Sequence, residues 1–265
     1  MVKNLSIGRY IETHSAIHQL DARIKLLGMI AFVTLLIRTI AWQQYVALVL
    51  YIVLIIFLTR IPIIIFLKSV RPLLRIIIFT AMLQILFTRD TIIYFQWGPF
   101  TISEAGIRGA GEVLIRFSLV LMMTCAVGLS TKPLDLTAGL EKLLMPFKIV
   151  GLKVQDLALM MSIALRFIPT LFDEASRLKK AQESRGVFFA EGHFFKRMKK
   201  FLPLCLPIFI GSFYRAQELA HALDVRGYMG KNKRTTFKKM SIDFKDLIFV
   251  SSLVLLIAVS FIFNR

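Results

Sequence analysis

Acidic side chains are scarce in this sequence. Sixteen aspartates and glutamates stand against 34 lysines and arginines, a formal net charge of +18. Cysteine is scarcer still: the two among 265 residues, Cys125 and Cys205, sit in apolar surroundings with no CxxC neighbour. That excludes a disulfide framework and leaves both thiols reading as small buried hydrophobes. The four histidines, His14, His18, His193 and His221, are scattered without metal-ligand spacing, and no HExxH occurs. No GxxxxGK[ST] is present either. Gly106, Gly109 and Gly111 lack the lysine of a phosphate loop, so no ATP site of that kind is expected here. Asp173-Glu174 is an isolated acidic pair on a basic stretch and reads as surface charge. A membrane-embedded enzyme acting on an isoprenoid or lipid phosphate would need clustered carboxylates such as DDxxD, and none is found. No catalytic residue, metal or cofactor is therefore expected.

Apolar residues, by contrast, are plentiful. They make up 57% of the chain, where soluble domains hold roughly 45–50%. Residues 1–25 are polar and mixed, with no cleavable apolar core, so insertion through the first spans is expected. Residues 26–58 are too long for one crossing at about 20 residues each. A polar break at 38–44 divides them into a hairpin with Trp42 and Tyr45 as interfacial anchors. Residues 60–75, with Arg60, Lys68, Arg71, Arg75, Pro62 and Pro72, read as a cytoplasmic amphipathic elbow before a third span at 76–87. A strand pair or loop is expected around 92–100. A fourth span is expected at 113–129, with Arg116 snorkelling near its outer end, and a last span at 247–263. The fold class is an all-α polytopic membrane protein of about five spans.

Residues 131–246 hold 21 of the 34 basic residues yet stay rich in Leu, Met, Phe and Ala. Amphipathic helices are expected at 134–144, at 154–185 with a bend at Pro169, and at 204–226, followed by a basic linker at 231–239. The expected domains are 1–130 (four spans, amino terminus inside), 131–244 (cytoplasmic helices) and 245–265 (the last span). That orientation keeps the basic segments on the cytoplasmic side and leaves Arg38, Arg89, Arg108 and Arg265 outside. Membrane topology thus accounts for the charge without nucleic acid as a partner, and an acidic protein surface remains open.

The most informative pattern is an internal repeat at an offset of 41 residues. FDEASRLKKAQESRG (172–186) matches FYRAQELAHALDVRG (213–227) at six of 15 positions: Phe172/Phe213, Ala175/Ala216, Leu178/Leu219, Ala181/Ala222, Arg185/Arg226 and Gly186/Gly227. An acid precedes each arginine by two, as Glu183 and Asp224. The shared Phe, Ala, Leu and Ala form one stripe per helix, and its small residues would let two helices cross closely. Glycine past the stripe predicts a left-handed cap, with arginine on the final turn. A single such end needs only the helix macrodipole to explain it. Two with the same stripe, acid, Arg and Gly point to a paired docking device, since the planar guanidinium makes several hydrogen bonds at once.

These residues resemble the transmembrane coupling component (T component) of energy-coupling factor (ECF) transporters over nearly the whole chain. Ile7-Gly8-Arg9-Tyr10 and Leu20-Asp21-Ala22-Arg23-Ile24-Lys25 resemble the family's opening, which more often has proline at the place of Ala22. Trp97-Gly98-Pro99 resembles its external turn. Leu165-Arg166-Phe167-Ile168-Pro169 with Ala181-Gln182-Glu183-Ser184-Arg185-Gly186, and Ala222-Leu223-Asp224-Val225-Arg226-Gly227-Tyr228, resemble its two coupling-helix signatures. The resemblance implies a multi-pass protein of a prokaryotic cell membrane that catalyses nothing itself. Its partners would be two ABC-type ATPase subunits and a small membrane S component that binds a vitamin or metal. It implies that Ser184, Arg185 and Gly186 meet one ATPase, and Val225, Arg226 and Gly227 the other. Leu157, Met160, Met161 and Ala164 are the candidate S-component contacts. A conventional ABC importer permease is the alternative, but it docks one cytoplasmic helix per subunit, and this chain supplies two docking points.

Overall fold

The computed structural model describes residues 11, 13, 15–39, 41–88, 93–97, 100–151, 153–189, 193–228 and 243–263. The opening motif 7–10, the Gly98-Pro99 turn and the linker 231–239 lie outside the described residues. The chain divides into two compact units, residues 1–143 with 239–265, and residues 144–238.

The first unit contains α1 (Ala16–Gln19), α2 (Ala22–Arg38), α3 (Trp42–Thr59), α4 (Ile63–Phe87), β1 (Ile93–Trp97), β2 (Phe100–Ser103), α5 (Glu104–Ser130), α6 (Pro133–Leu144) and α9 (Phe244–Ile262). The apolar hairpin expected at 26–58 is α2 and α3, separated at Thr39–Ala41. Its core is built from fully buried Phe32, Leu36, Leu48, Phe66 and Met123, with Phe32 stacked on Tyr51 at 6.1 Å. Large apolar side chains also point outward, among them Leu50, Val53 and Phe57 of α3. In water such a surface would drive aggregation; against lipid it is the ordinary outer face of a span.

Residues 60–75 do not form a separate elbow. Arg60 caps α3 in the left-handed region (φ 54°), and after Pro62 a single 25-residue helix runs through Pro72 to Phe87. Phe66, Val70, Ile77 and Ala81 recur on its buried face, while Lys68, Arg71 and Arg75 are exposed. The helical period is continuous across the proline, and burying that face outweighs one lost backbone hydrogen bond. β1 and β2 pair antiparallel, as expected around 92–100.

The fourth expected span also starts earlier, because the glycine-rich stretch is helical. Ser103 is fully buried; its Oγ accepts from Gly106 N (3.2 Å) and donates to the Thr88 carbonyl (2.7 Å), fastening the end of α4 to the start of α5. A Cβ on Gly109 would lie 2.9 Å from Gln84 Nε2, and one on Gly106 3.1 Å from the Ile85 carbonyl. These glycines are close-packing positions against α4.

At one end of the unit, polar groups are gathered at the start of α2. Lys25 is 2% exposed and donates to the Ser130 carbonyl (3.0 Å) and Thr131 Oγ1 (3.1 Å), capping the carboxyl end of α5. Buried Asp246 accepts from Asp21 N (2.9 Å) and Asp243 N (2.8 Å). A Cβ on Gly139 of α6 would lie 3.1 Å from Ala22 Cβ and 3.2 Å from Arg23 N. Towards the other end, Arg116 donates to the Tyr45 hydroxyl (2.7 Å) and the Thr39 carbonyl (3.4 Å). Arg116 therefore pins the α2–α3 turn rather than snorkelling, and Tyr45 is buried under it rather than serving as an interfacial anchor. Trp42 stays exposed.

The second unit contains a 3₁₀ turn (Met145–Val150), α7 (Val154–Ser184) and α8 (Phe194–Val225). α7 matches its expected bounds within one residue and holds Pro169 in its interior. α8 begins ten residues before the expected start at 204 and takes Pro203 and Pro207 inside.

Among the described residues, four helices are long and apolar enough to cross a membrane: α3, α5, α7 and α9. The first, second and last of these were expected as spans. α2, also expected, is 17 residues long, and α4 carries Lys68, Arg71 and Arg75 in its first half. α7 was assigned to the cytoplasmic helices. Its amino-terminal half is mostly apolar, with Asp156 and Arg166 its only charges, and its carboxyl-terminal half carries Asp173, Glu174, Arg177, Lys179, Lys180 and Glu183.

Candidate functional site

Both copies of the 41-residue repeat end their helices in the same way. Arg185 caps α7 with φ −87° and ψ 8°, and Gly186 follows at φ 85°. Gly186 N–H donates to the Glu183 carbonyl (3.0 Å) and Val187 N–H to the Gln182 carbonyl (3.0 Å). Arg226 caps α8 with φ −80° and ψ 6°, and Gly227 follows at φ 74°. Its N–H donates to the Asp224 carbonyl (2.9 Å) and Tyr228 N–H to the Leu223 carbonyl (2.9 Å). Each end is a Schellman motif, and each positive φ favours a residue without Cβ. Ser184-Arg185-Gly186 and Val225-Arg226-Gly227 thus occupy corresponding places on corresponding caps.

The two ends are open to a partner. Ser184, Arg185, Gly186, Arg226 and Gly227 are exposed, and Val225 is 89% exposed. Among the described residues neither guanidinium meets a carboxylate; Glu183 pairs with Lys179 instead (3.7 Å). The rigid cap fixes where each arginine leaves the helix end, and its planar guanidinium suits carboxylate or carbonyl acceptors on another protein. Beyond Gly186 the chain is tied back to the start of α8. Lys200 Nζ donates to the Phe188 carbonyl (2.7 Å), and buried Phe189 packs on Phe201 at 5.4 Å. The tip of α7 is therefore anchored on both sides of its cap.

Further up the helices, Arg215 of α8 donates to the Glu174 carboxylate of α7. A Cβ on Gly211, one turn before Arg215, would lie 3.3 Å from Glu174 Oε1. The crossing is thus made by Glu174, Gly211 and Arg215. Of the stripe expected to seat it, only Ala175, Leu178 and Leu219 are half-buried; Ala181, Ala216 and Ala222 are exposed, and Phe172 and Phe213 are each 58% exposed. Helices that meet at one crossing bury only what lies there, and the rest of each stripe stays open.

Leu157, Met160, Met161 and Ala164 are all exposed on the apolar half of α7. Spaced i, i+3, i+4 and i+7, they form one exposed face of α7, separate from the charged tip. Glu174 and Arg215 were missed as a pair in the sequence, although the repeat offset itself links them. Among the described residues no cluster of His, Cys, Asp or Glu suits a metal ion.

Long apolar helices, an outward-facing apolar surface and a basic helical unit define a polytopic all-α membrane protein. The profile of the CbiQ family, described as cobalt transport protein, matches residues 13–237. The energy-coupling factor transporter transmembrane protein EcfT 1 of Listeria monocytogenes is 42% identical over 258 residues, 97% of each chain. EcfT of Brevibacillus brevis is 40% identical over 263 residues and EcfT of Bacillus subtilis 39% over 261, each covering 98% of both chains. The chain belongs to the CbiQ/EcfT family.

Proposed function

We propose that this chain is the coupling subunit of an energy-coupling factor importer. In this reading Ser184-Arg185-Gly186 docks one ATPase subunit and Val225-Arg226-Gly227 the other. The observation that carries it is the pair of Schellman-capped, arginine-tipped helix ends on two repeats of one chain, in a family whose named members are transporter transmembrane proteins. Residues 131–244 then form the cytoplasmic coupling-helix domain, a placement supported by the concentration of cations there and by the charged second half of α7. The spans α3, α5 and α9, with α2 and the second half of α4 as the other two of the five expected, hold the subunit in a prokaryotic cell membrane.

The mechanism is mechanical. ATP hydrolysis belongs to the partners, and the chain itself performs no chemistry. When the ATPases close on ATP they draw the two tips with them, and α7 and α8 carry that displacement to the apolar face at Leu157, Met160, Met161 and Ala164. There a membrane S component binding a vitamin or metal is reoriented across the bilayer. Substrate choice resides in that partner.

The test is mass spectrometry of what co-purifies with the tagged chain from gently solubilised native membranes. Two ABC-type ATPases with one or more small, very hydrophobic proteins support the assignment. A well-folded chain recovered alone or with lipid only would overturn it.

A further inference from the structure

The residues at the helix crossing hold corresponding places in the repeat: Glu174 is the third residue of the first copy and Arg215 the third of the second, 41 residues apart. The two helices therefore meet where each copy offers the same position, one acidic and one basic. From this juxtaposition we propose that the Glu174–Arg215 ion pair over Gly211 is the pivot that sets the separation of the two arginine tips. Glu174 and Arg215 are positioning residues for docking, a role that rests on the coupling reading given above.

Three observations support a pivot over an incidental surface pair. Both side chains are mostly buried, at 29% and 28% exposed, unlike the Lys179–Glu183 pair on the same helix at 50% and 45%. Gly211 leaves room for the carboxylate where any Cβ would crowd it at 3.3 Å. Among the described residues, Arg215 Nη1 is buried with no hydrogen-bond partner. A cation accepts that cost where its other nitrogen is committed to a charged partner. The leverage follows from helix geometry. Ser184 and Val225 each lie ten residues beyond the pivot, which is about 15 Å at 1.5 Å per residue. A change of ~20° in crossing angle, the usual scatter of one packing class, moves one tip relative to the other by up to ~5 Å.

The test uses the full chain in lipid nanodiscs, with Cys125 and Cys205 replaced by Ser and spin labels on Ser184→Cys and Val225→Cys. The tip-to-tip distance distribution is read for the parent, for Glu174→Arg, for Arg215→Glu and for the double exchange. Because the two residues hold equivalent positions, exchanging them should restore the pair. The expected result is a displaced, broadened distribution in each single variant, with a tip-to-tip shift of up to about 5 Å, and the parental distribution in the double exchange. Glu174→Gln, which leaves a neutral hydrogen bond, should broaden it least. Single variants that elute as monodisperse protein with the parental distribution overturn the pivot, as does a double exchange that stays displaced. Retention of the co-purifying ATPase subunits by the same variants without labels reads the docking assignment separately. If the distances move and return on exchange while ATPase retention never changes, the pivot stands and the docking role of the tips falls.

Discussion

Replacing Arg185 or Arg226 by alanine should weaken ATPase docking while leaving the fold intact, and the two caps say why. The hydrogen bonds that close α7 and α8 run between backbone groups of Gln182, Glu183, Gly186 and Val187, and of Leu223, Asp224, Gly227 and Tyr228. None uses a guanidinium. Alanine adopts φ −87°, ψ 8° and φ −80°, ψ 6° without strain, so the ends keep their shape. Exposed substitutions of this kind change stability by less than about 0.5 kcal/mol. Docking is different. A guanidinium buried on a partner's acceptors leaves those acceptors unpaired when truncated, at a cost of about 2–5 kcal/mol, or about 30-fold to a few thousandfold in dissociation constant. Lys179→Ala serves as the reference, because an exposed i,i+4 pair such as Lys179–Glu183 contributes only about 0.3–0.5 kcal/mol. The assay is retention of the ATPase subunits by tagged chain through a detergent wash, followed by ATP-driven uptake in reconstituted vesicles. Each single alanine should shed ATPase, and the double variant should lose coupled uptake while eluting as folded protein. Equal losses from Lys179→Ala and Arg185→Ala would refute the reasoning, since general basicity would then be enough.

Three further outcomes follow from the packing. Gly186→Ala and Gly227→Ala each force a side chain into the left-handed region. Each should cost about 1 kcal/mol and raise hydrogen exchange in the last turn of its helix, while Gly111→Ala, with open space at its Cβ inside α5, should leave exchange at both of those turns unchanged. Gly139→Val drives its Cβ against Ala22 and the backbone of Arg23. Because backbone cannot swing aside, a loss of about 1–3 kcal/mol is expected, read as a lower melting midpoint in detergent. His18 bonds the Ile11 carbonyl (3.0 Å) and Ser15 Oγ (2.6 Å), and burial holds its imidazole below the usual 6.5, with Lys25 pushing the same way. A depressed folded value means stability present above 6.5 and lost as pH falls below it. The melting midpoint of the parent should drop between about pH 7.5 and about pH 5.5 more than that of His18→Gln; parallel curves would contradict this.

Much of this was legible because it is written in local patterns. Apolar runs marked α3, α5 and α9, and a period-2 stretch marked the hairpin. Glycine after arginine marked both helix ends, since only a residue free to take positive φ continues from such a cap. The features that were misjudged depend on partners distant in sequence. Pro62, Pro72 and the cations of 60–75 all argue locally for a break, and only the shared buried face of Phe66, Val70 and Ile77 shows one continuous helix. Tyr45 and Arg116 each look interfacial alone, and Lys25 gives no sign that it will be buried under Ser130. Glu174 was read as surface charge because its partner lies 41 residues on, although the repeat carried that pairing in plain form.

The chain leaves the first unit through α6 and re-enters it through α9, and both attachments sit on the same few residues. Gly139 of α6 rests on Ala22, while Asp246 of α9 accepts the Asp21 amide. The helices that flank the second unit in sequence thus both pack at the first turn of α2. Both attachments lie beside the buried Lys25 ammonium, which ties that turn to the end of α5. A buried ammonium and a buried carboxylate thus hold one junction where apolar packing would ordinarily serve.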